Sequence, residues 1–139
     1  MASASIDGIT EIITNAGYEI IKEEENTLQL RDLESGIAVS CVLEQDILFS
    51  TVPCMVVDSK SVTANLMSTM LNAQNGISTS SFQLYDLGDG KTTITLNNFA
   101  KLQSLGEDDR DDILSCISFL IGDVCEAKDL LEESGGITG

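Results

Sequence analysis

The sequence predicts a single α+β domain in which helices pack on an antiparallel sheet, in the order α-β-β-β(-β)-α-β-β-α. Apolar residues recur at helical spacing in three stretches, and short alternating stretches bounded by turn residues lie between them. The connections between the alternating stretches are too short for parallel crossovers. With 139 residues and 42% apolar content, the chain suits one domain over residues 1–133, followed by a flexible tail at 134–139.

The first half of the chain predicts one helix and up to four strands. The helix covers residues 5–16, where Ser5 or Ser3 can cap the start and Gly17 can end the last turn. Strands are predicted at 18–21, 27–31 and 37–43, separated by turn-forming residues. A fourth strand is predicted at 47–54. We expect Pro53 near its end or at a sheet edge, because proline donates no ladder hydrogen bond.

The second half predicts a helix, a hairpin and a long helix. The second helix begins with a cap at Asp58 or Ser59 and runs to about Asn75, with Gly76 as its stop. Two strands at 82–85 and 92–97 form a hairpin through the turn at 86–91. The longest helix spans 107–133, and the acidic residues of its first turns match the positive end of the helix dipole.

Charge is distributed unevenly along the chain. The formal net charge is -16, yet residues 47–85 carry only Asp58 and Lys60. Such an acidic protein lacks the basic footprint that binding to nucleic acid or anionic lipid requires, and it favours a partner with a basic surface. No signal peptide or membrane-length apolar run is recognised. Four cysteines in apolar surroundings indicate buried free thiols in a reducing cytoplasm, with disulfides as the less favoured alternative: Cys41, Cys54, Cys116 and Cys125.

Candidate catalytic chemistry is sparse. The chain has no histidine, which excludes Cys–His and Ser–His–Asp arrangements, and the cysteine spacing disfavours a zinc site. Residues 88–92 contain the Gly-Lys-Thr end of a phosphate-binding loop. However, Tyr85 stands where the motif needs glycine and a strand follows, so a hairpin turn is favoured. We predict no catalytic residue, no cofactor, no metal site and no enzymatic activity.

The acidic run at 107–112 is the basis of an alternative function. Its carboxylates could bind Ca²⁺ or Mg²⁺, although an EF-hand loop needs alternating ligands, a central glycine and a distal glutamate. A solvated helix start matched to the dipole is the favoured interpretation. Binding of a divalent metal or a small molecule is therefore kept as the alternative to protein binding.

The second helix is the strongest candidate for a binding surface, because its polar side carries no charge. Solvated helix faces usually show Lys and Glu pairs, whereas interface cores are depleted in charge and enriched in Met. The uncharged polar side consists of Thr63, Asn65, Ser68, Thr69 and Asn72. We predict a homodimer or partner surface, with burial in a monomer core as the competing interpretation. The predicted surface comprises Val62, Leu66, Met67, Met70 and Leu71, with exposed edges near Phe82 and Tyr85.

Several segments resemble a known family. These are residues 72–82 with the sequence Asn-Ala-Gln-Asn-Gly-Ile-Ser-Thr-Ser-Ser-Phe, the hairpin after them, the long helix reaching Cys125-Glu126-Ala127, and Ala16-Gly17-Tyr18. They resemble YjfI-like bacterial proteins, and the order of elements is similar to YbjN-type proteins and class I type III secretion chaperones. The resemblance covers most of the chain and implies a secretion-chaperone-like fold and a homodimer.

The resemblance also implies a type of function. YjfI-like proteins are associated with PspA-type membrane-remodelling proteins, so a PspA-type protein is the partner class that it suggests. It implies no catalytic residue. Together with the residue patterns, it predicts a cytoplasmic, homodimeric, chaperone-like or regulatory module that binds another protein.

Overall fold

The computed structural model describes residues 5–77, 79–103 and 106–135, which form three helices, a 3₁₀ turn and a six-stranded sheet. The elements in chain order are α1 (Ile6–Asn15), β1 (Glu19–Glu23), β2 (Thr27–Arg31), β3 (Ala38–Glu44), β4 (Ile47–Asp58), the 3₁₀ turn (Ser59–Ser61), α2 (Ala64–Leu71), β5 (Ser81–Gly88), β6 (Lys91–Lys101) and α3 (Glu107–Gly135). The predicted α+β class and element order are confirmed, and the fourth strand of the first half is present.

All neighbouring strands of the sheet are antiparallel, in the order β1-β2-β3-β4-β6-β5. The first four strands form a meander. The chain then crosses through α2 and returns as a hairpin whose second strand, β6, pairs with β4 along the whole length of both strands. Since β6 occupies this place, β5 lies at one edge of the sheet and β1 at the other.

The helices cover one face of the sheet. Helix α1 packs on β1 and β2, α3 packs on β4 and β6, and α2 packs against α3. In β2, β3, β4 and β6, most of the residues that point to this face are buried, including Val39, Leu48 and Leu96. Removing such a side chain from water contributes roughly 1.5–3 kcal/mol. The core therefore lies entirely between the helices and this face.

Local sequence explains several element ends. The Ser5 hydroxyl accepts a hydrogen bond from the Gly8 backbone N–H at 3.2 Å and caps α1. Asp89 and Gly90 both have positive φ, at 53° and 76°, which suits the tight turn between two twisted antiparallel strands. The hairpin-turn interpretation of the Gly-Lys-Thr stretch is confirmed, because Lys91 and Thr92 lie in β6.

Two predicted boundaries differ from the structure. Strand β4 continues four residues past the predicted end at Cys54, and Pro53 lies inside it rather than near its end. The missing donor is tolerated because the β4–β6 register shifts between Pro53 and Met55, and the last β3 pair is at Thr51. Helix α3 extends to Gly135, two residues into the predicted tail, while 136–139 lie outside the described residues.

Candidate protein-interaction surfaces

Helix α2 is shorter than predicted, because side chains fix both of its ends. The Thr63 hydroxyl accepts a hydrogen bond from the Leu66 backbone N–H at 3.2 Å, which sets the start. The Asn75 side-chain amide donates to the backbone carbonyls of Thr69 and Met70, at 3.2 and 2.8 Å. These bonds satisfy carbonyls that the end of the helix leaves open. Residues 59–61 form the separate 3₁₀ turn, which the Ser59 backbone N–H ties to the Gly90 carbonyl at 2.7 Å.

The predicted surface residues of α2 divide between core and solvent. Leu66 is fully buried and Met70 is buried beside it, so these two side chains belong to the core of the folded chain. Val62 is half-buried and packs against the core. Met67 is exposed, and 81% of Leu71 is accessible to solvent. Within α2, the large apolar side chains that are open to a partner are those of Met67 and Leu71.

The uncharged polar side of α2 has local structural roles. Thr63 caps the helix, and the Thr69 hydroxyl donates to the Asn65 carbonyl at 3.1 Å. The Asn72 side chain accepts from the Gln74 backbone N–H at 2.8 Å in the turn that follows the helix. Because these bonds account for three of the five polar residues, capping and turn formation explain much of the absence of charge.

The end of α2 and the start of β5 share a small groove. It encloses about 220 Å³ and is lined by Met70, Leu71, Ile77 and Phe82 among others. Asp123 of α3 holds the connecting segment in place, since its carboxylate accepts hydrogen bonds from the hydroxyls of Thr79 at 2.6 Å and Ser80 at 2.9 Å. The structure thus brings the predicted residues Leu71 and Phe82 together.

Tyr85 does not join this group. It pairs with Thr93, and the alternation along β5 places it on the sheet face opposite the helices, whereas Phe82 pairs with Leu96 on the covered face. We name the exposed side chains of Met67 and Leu71, together with Phe82 and the outer edge of β5, the α2–β5 surface. Two exposed leucines of the edge strand, Leu84 and Leu87, adjoin it.

The face of the sheet away from the helices carries a second surface, which sequence reasoning missed. At its two ends, the outward positions hold Glu44 with Lys101 and Asp58 with Lys91. Between these ends, the outward positions of β3, β4, β5 and β6 carry no charge. We name them the neutral panel: Ser40, Val42, Phe49, Thr51, Pro53, Val56, Gln83, Tyr85, Thr93, Thr95, Asn97 and Phe99.

A sequence signal for the neutral panel exists. Apolar residues follow one another in Leu48-Phe49 and Phe99-Ala100, so both faces of these strands carry apolar side chains. A sheet with three helices on one face leaves the other face open, and this open face is where Phe49 and Phe99 point.

The cysteines and the residues of the acidic run differ in burial. Burial raises the pKa of Cys41 and of Cys54 to about 11, so both thiols stay protonated at neutral pH. Cys125 is exposed, contrary to the expectation of burial. Asp109, in the acidic run, is buried and accepts a hydrogen bond from the Gln103 backbone N–H at 2.5 Å. No group of three or more metal-ligating side chains occurs among the described residues.

No protein-family description matches the chain, and no curated protein matches it. Solved structures do. One chain of the heterodimeric ExoU–SpcU complex from the type III secretion system of Pseudomonas aeruginosa is 18% identical, with a TM-score of 0.63. The match covers 90% of this chain and 98% of that one. YbjN from E. coli is 10% identical with a TM-score of 0.63, over 98% of this chain and 94% of YbjN.

These likenesses concern the fold. The predicted similarity to YbjN-type proteins and to the secretion-chaperone fold is confirmed. No helix among the described residues has the length and apolar character that crossing a bilayer requires.

Proposed function

We propose that the protein is a non-enzymatic, homodimeric, chaperone-like module of the cytoplasm that binds another protein. The observation that supports the dimer is the α2–β5 surface, where the highly exposed Leu71 adjoins an edge strand whose first five residues have little protection from pairing. Edge strands are commonly guarded by Lys, Pro or short length. β5 is eight residues long and contains neither Lys nor Pro. Its one charge, Asp86, and its register shift between Asp86 and Gly88 lie at the hairpin end, so Ser81–Tyr85 has neither.

The two edges of the sheet support this choice of interface. β1 is five residues long and carries Glu19, Lys22 and Glu23, so charge and short length protect it from pairing. β5 exposes Leu84 and Leu87 instead. A twofold axis beside β5 would pair it with its copy in antiparallel register and continue one sheet through both subunits. Leu71 and Met67 of each copy would add apolar contacts to that edge.

Protein binding is supported by the shared fold. The ExoU–SpcU complex is a heterodimer of two proteins, and a chain of that complex has the fold described here. The acidic surface keeps the protein soluble and favours a basic partner. A PspA-type protein, the partner class implied by the YjfI resemblance, is the first candidate to test.

The dimer is tested by Leu71→Asp. We expect the wild-type chain to sediment at about twice its 14.9 kDa mass at roughly 100 μM, and Leu71→Asp to sediment as a monomer. The thermal midpoint, extrapolated to low protein concentration, should stay unchanged, because Leu71 is already exposed in each subunit. Leu33→Asp is the matched control, since 67% of Leu33 is exposed in the β2–β3 turn, away from this surface. A wild-type monomer at this concentration contradicts the dimer.

Partner binding is tested separately by co-expression with a PspA-type protein and affinity capture through a tag on the partner. We expect wild-type protein to be retained in stoichiometric amount. Failure of this particular capture removes the PspA-type partner and leaves the dimer measurement unaffected.

A further inference from the structure

The neutral panel contains an exposed aromatic row. Val42, Phe49 and Phe99 lie side by side on β3, β4 and β6, and the ring centroids of the two phenylalanines are 6.2 Å apart. Phe99 exposes 64% of its surface. A shallow cavity of about 350 Å³ adjoins the row and reaches Tyr85. Contiguous exposed apolar area of this kind on a soluble protein commonly marks a site of interaction.

The polar side chains of the neutral panel bond to one another. The Thr51 hydroxyl donates to the Asn97 side-chain carbonyl at 2.7 Å, and the Asn97 amide donates to the Thr95 hydroxyl at 2.8 Å. The Tyr85 hydroxyl donates to the Gln83 side-chain carbonyl at 2.5 Å. Polar groups that are already paired lose little when water is removed from above them. An apolar partner can therefore cover this surface without leaving these groups unsatisfied.

The end of the neutral panel next to the aromatic row is acidic. The turns at 23–26 and 44–46 lie beside each other, joined by a hydrogen bond from the Leu43 N–H to the Asn26 carbonyl at 2.8 Å. They carry Glu23, Glu24, Glu25, Glu44 and Asp46. Two bases lie near them, Lys22, which pairs with Glu24 at 2.9 Å, and Lys101 at the end of β6.

This charge pattern indicates what kind of molecule can bind the neutral panel. At this surface a second copy would bring its own acidic rim close to that of the first, and the repulsion between the two rims opposes close approach. A segment with basic residues beside its apolar side chains would complement both the aromatic row and the rim. We propose that the neutral panel docks a partner segment that is apolar on one side and flanked by Lys or Arg. This inference rests on the proposed protein-binding function and names its partner-binding surface.

The probe is a fluorescein-labelled amphipathic peptide of Leu, Phe and Lys, compared with the same peptide in which Glu replaces every Lys. We expect fluorescence anisotropy to show the Lys peptide binding the full chain at least about tenfold more tightly than the Glu peptide, with weaker binding at high salt. Phe99→Ser should weaken binding about tenfold, because it removes the aromatic anchor. Glu25→Gln combined with Asp46→Asn should weaken it about threefold and reduce its salt dependence.

Phe119→Ser is the matched control. Phe119 is 54% exposed on α3, the helix that covers the opposite face of the sheet, so its loss should leave peptide affinity unchanged. Circular dichroism and the thermal midpoint establish that both serine variants are folded. The proposal is overturned if the Lys peptide does not bind, if the Glu peptide binds equally well, or if Phe99→Ser has the affinity of the wild type.

Failure of this inference differs from failure of the dimer. Loss of self-association in Phe99→Ser would assign the neutral panel to a second copy and overturn the proposal. A monomeric wild-type chain that binds the Lys peptide through Phe99 would contradict the α2–β5 dimer alone. A dimer disrupted by Leu71→Asp that binds no peptide would contradict the neutral panel alone.

Discussion

The two faces of β4 and β6 differ in what their alternating side chains contact. On the covered face, Leu96 is fully buried under the helices and Ser50 contacts the Cys41 thiol at 3.5 Å. On the open face, Phe99 and Phe49 contact each other and solvent. The same strands therefore carry one row of residues that stabilises the fold and another that is free to contact a partner.

This difference shows that apolar content in a strand does not by itself indicate burial. Three helices supply enough apolar surface to cover one face of the sheet. The open face keeps aromatic residues although no element among the described residues covers them. Substitutions on the two faces should consequently differ in whether they change the free energy of unfolding or change binding.

The largest expected effect is the difference in the free energy of unfolding between substitutions at two residues of β6. Leu96→Ala should lower the free energy of unfolding by about 3 kcal/mol, because it creates a cavity in the core. Phe99→Ala should lower it by less than about 1 kcal/mol, since it removes a largely exposed ring and one aromatic contact. Urea denaturation of both variants measures the difference. Equal losses would mean that Phe99 is part of the stabilising core and that the two faces are not distinct.

Alkaline pH should destabilise the covered face through its thiols. The pKa of Cys41 and of Cys54 is raised by burial from 9.0 to about 11. Below pH 9 the two thiols are largely protonated in both the folded and the unfolded state. Between pH 9 and 11 the unfolded state releases them first, so the free energy of unfolding falls by up to about 1.4 kcal/mol per pH unit for each thiol. We expect a loss of roughly 2–3 kcal/mol in total by pH 10.

Urea denaturation at pH 8 and pH 10 measures this loss. The control is a variant with Cys41→Ala and Cys54→Ala, whose stability should depend less steeply on pH even if its absolute stability is lower. A remaining slope is expected from Tyr18, whose pKa is also raised, mainly by burial. An unchanged slope in the double variant would show that the two thiols are not the titrating groups.

The smallest expected effect concerns the polar side of α2. Thr63→Ala should lower the free energy of unfolding by about 1 kcal/mol, because it removes the cap of the helix. Ser68→Ala, at an exposed position of the same helix, should change it by less than about 0.5 kcal/mol. Thermal denaturation compares the two. If Thr63→Ala changed the free energy of unfolding no more than Ser68→Ala does, capping would not explain the uncharged polar side of α2, and an interface would be the better explanation.

Local sequence signals predicted much of the fold. Isoleucine spacing, Ser5 and Gly17 gave α1 to within one residue at each end, and the alternation at Thr27–Arg31 gave β2 with its observed bounds. These elements could be predicted because neighbours in sequence determine them. Strand β4 was predicted too short, since the bulge that accommodates Pro53 depends on pairing with β6, far away in the chain.

The candidate surface was predicted less completely. The pattern of α2 singled out Leu71 and Met67 but equally Leu66 and Met70, because a hydrophobic stripe does not reveal which of its residues another helix covers. Tyr85 was grouped with Phe82 because they are close in sequence. Side chains three positions apart in a regular strand, however, point to opposite faces of the sheet. Phe99 was missed because its exposure depends on where the helices pack.

By itself, the sequence determined the α+β class, the element order, the hairpin turn at Asp89 and Gly90, and the acidic character, since these follow from local periodicity, turn chemistry and charge. Only the tertiary structure decided which face of the sheet the helices cover, which edge stays unprotected and where Phe99 points. Those features depend on long-range pairing and helix packing, in which the same apolar side chain becomes core on one face and a candidate binding surface on the other.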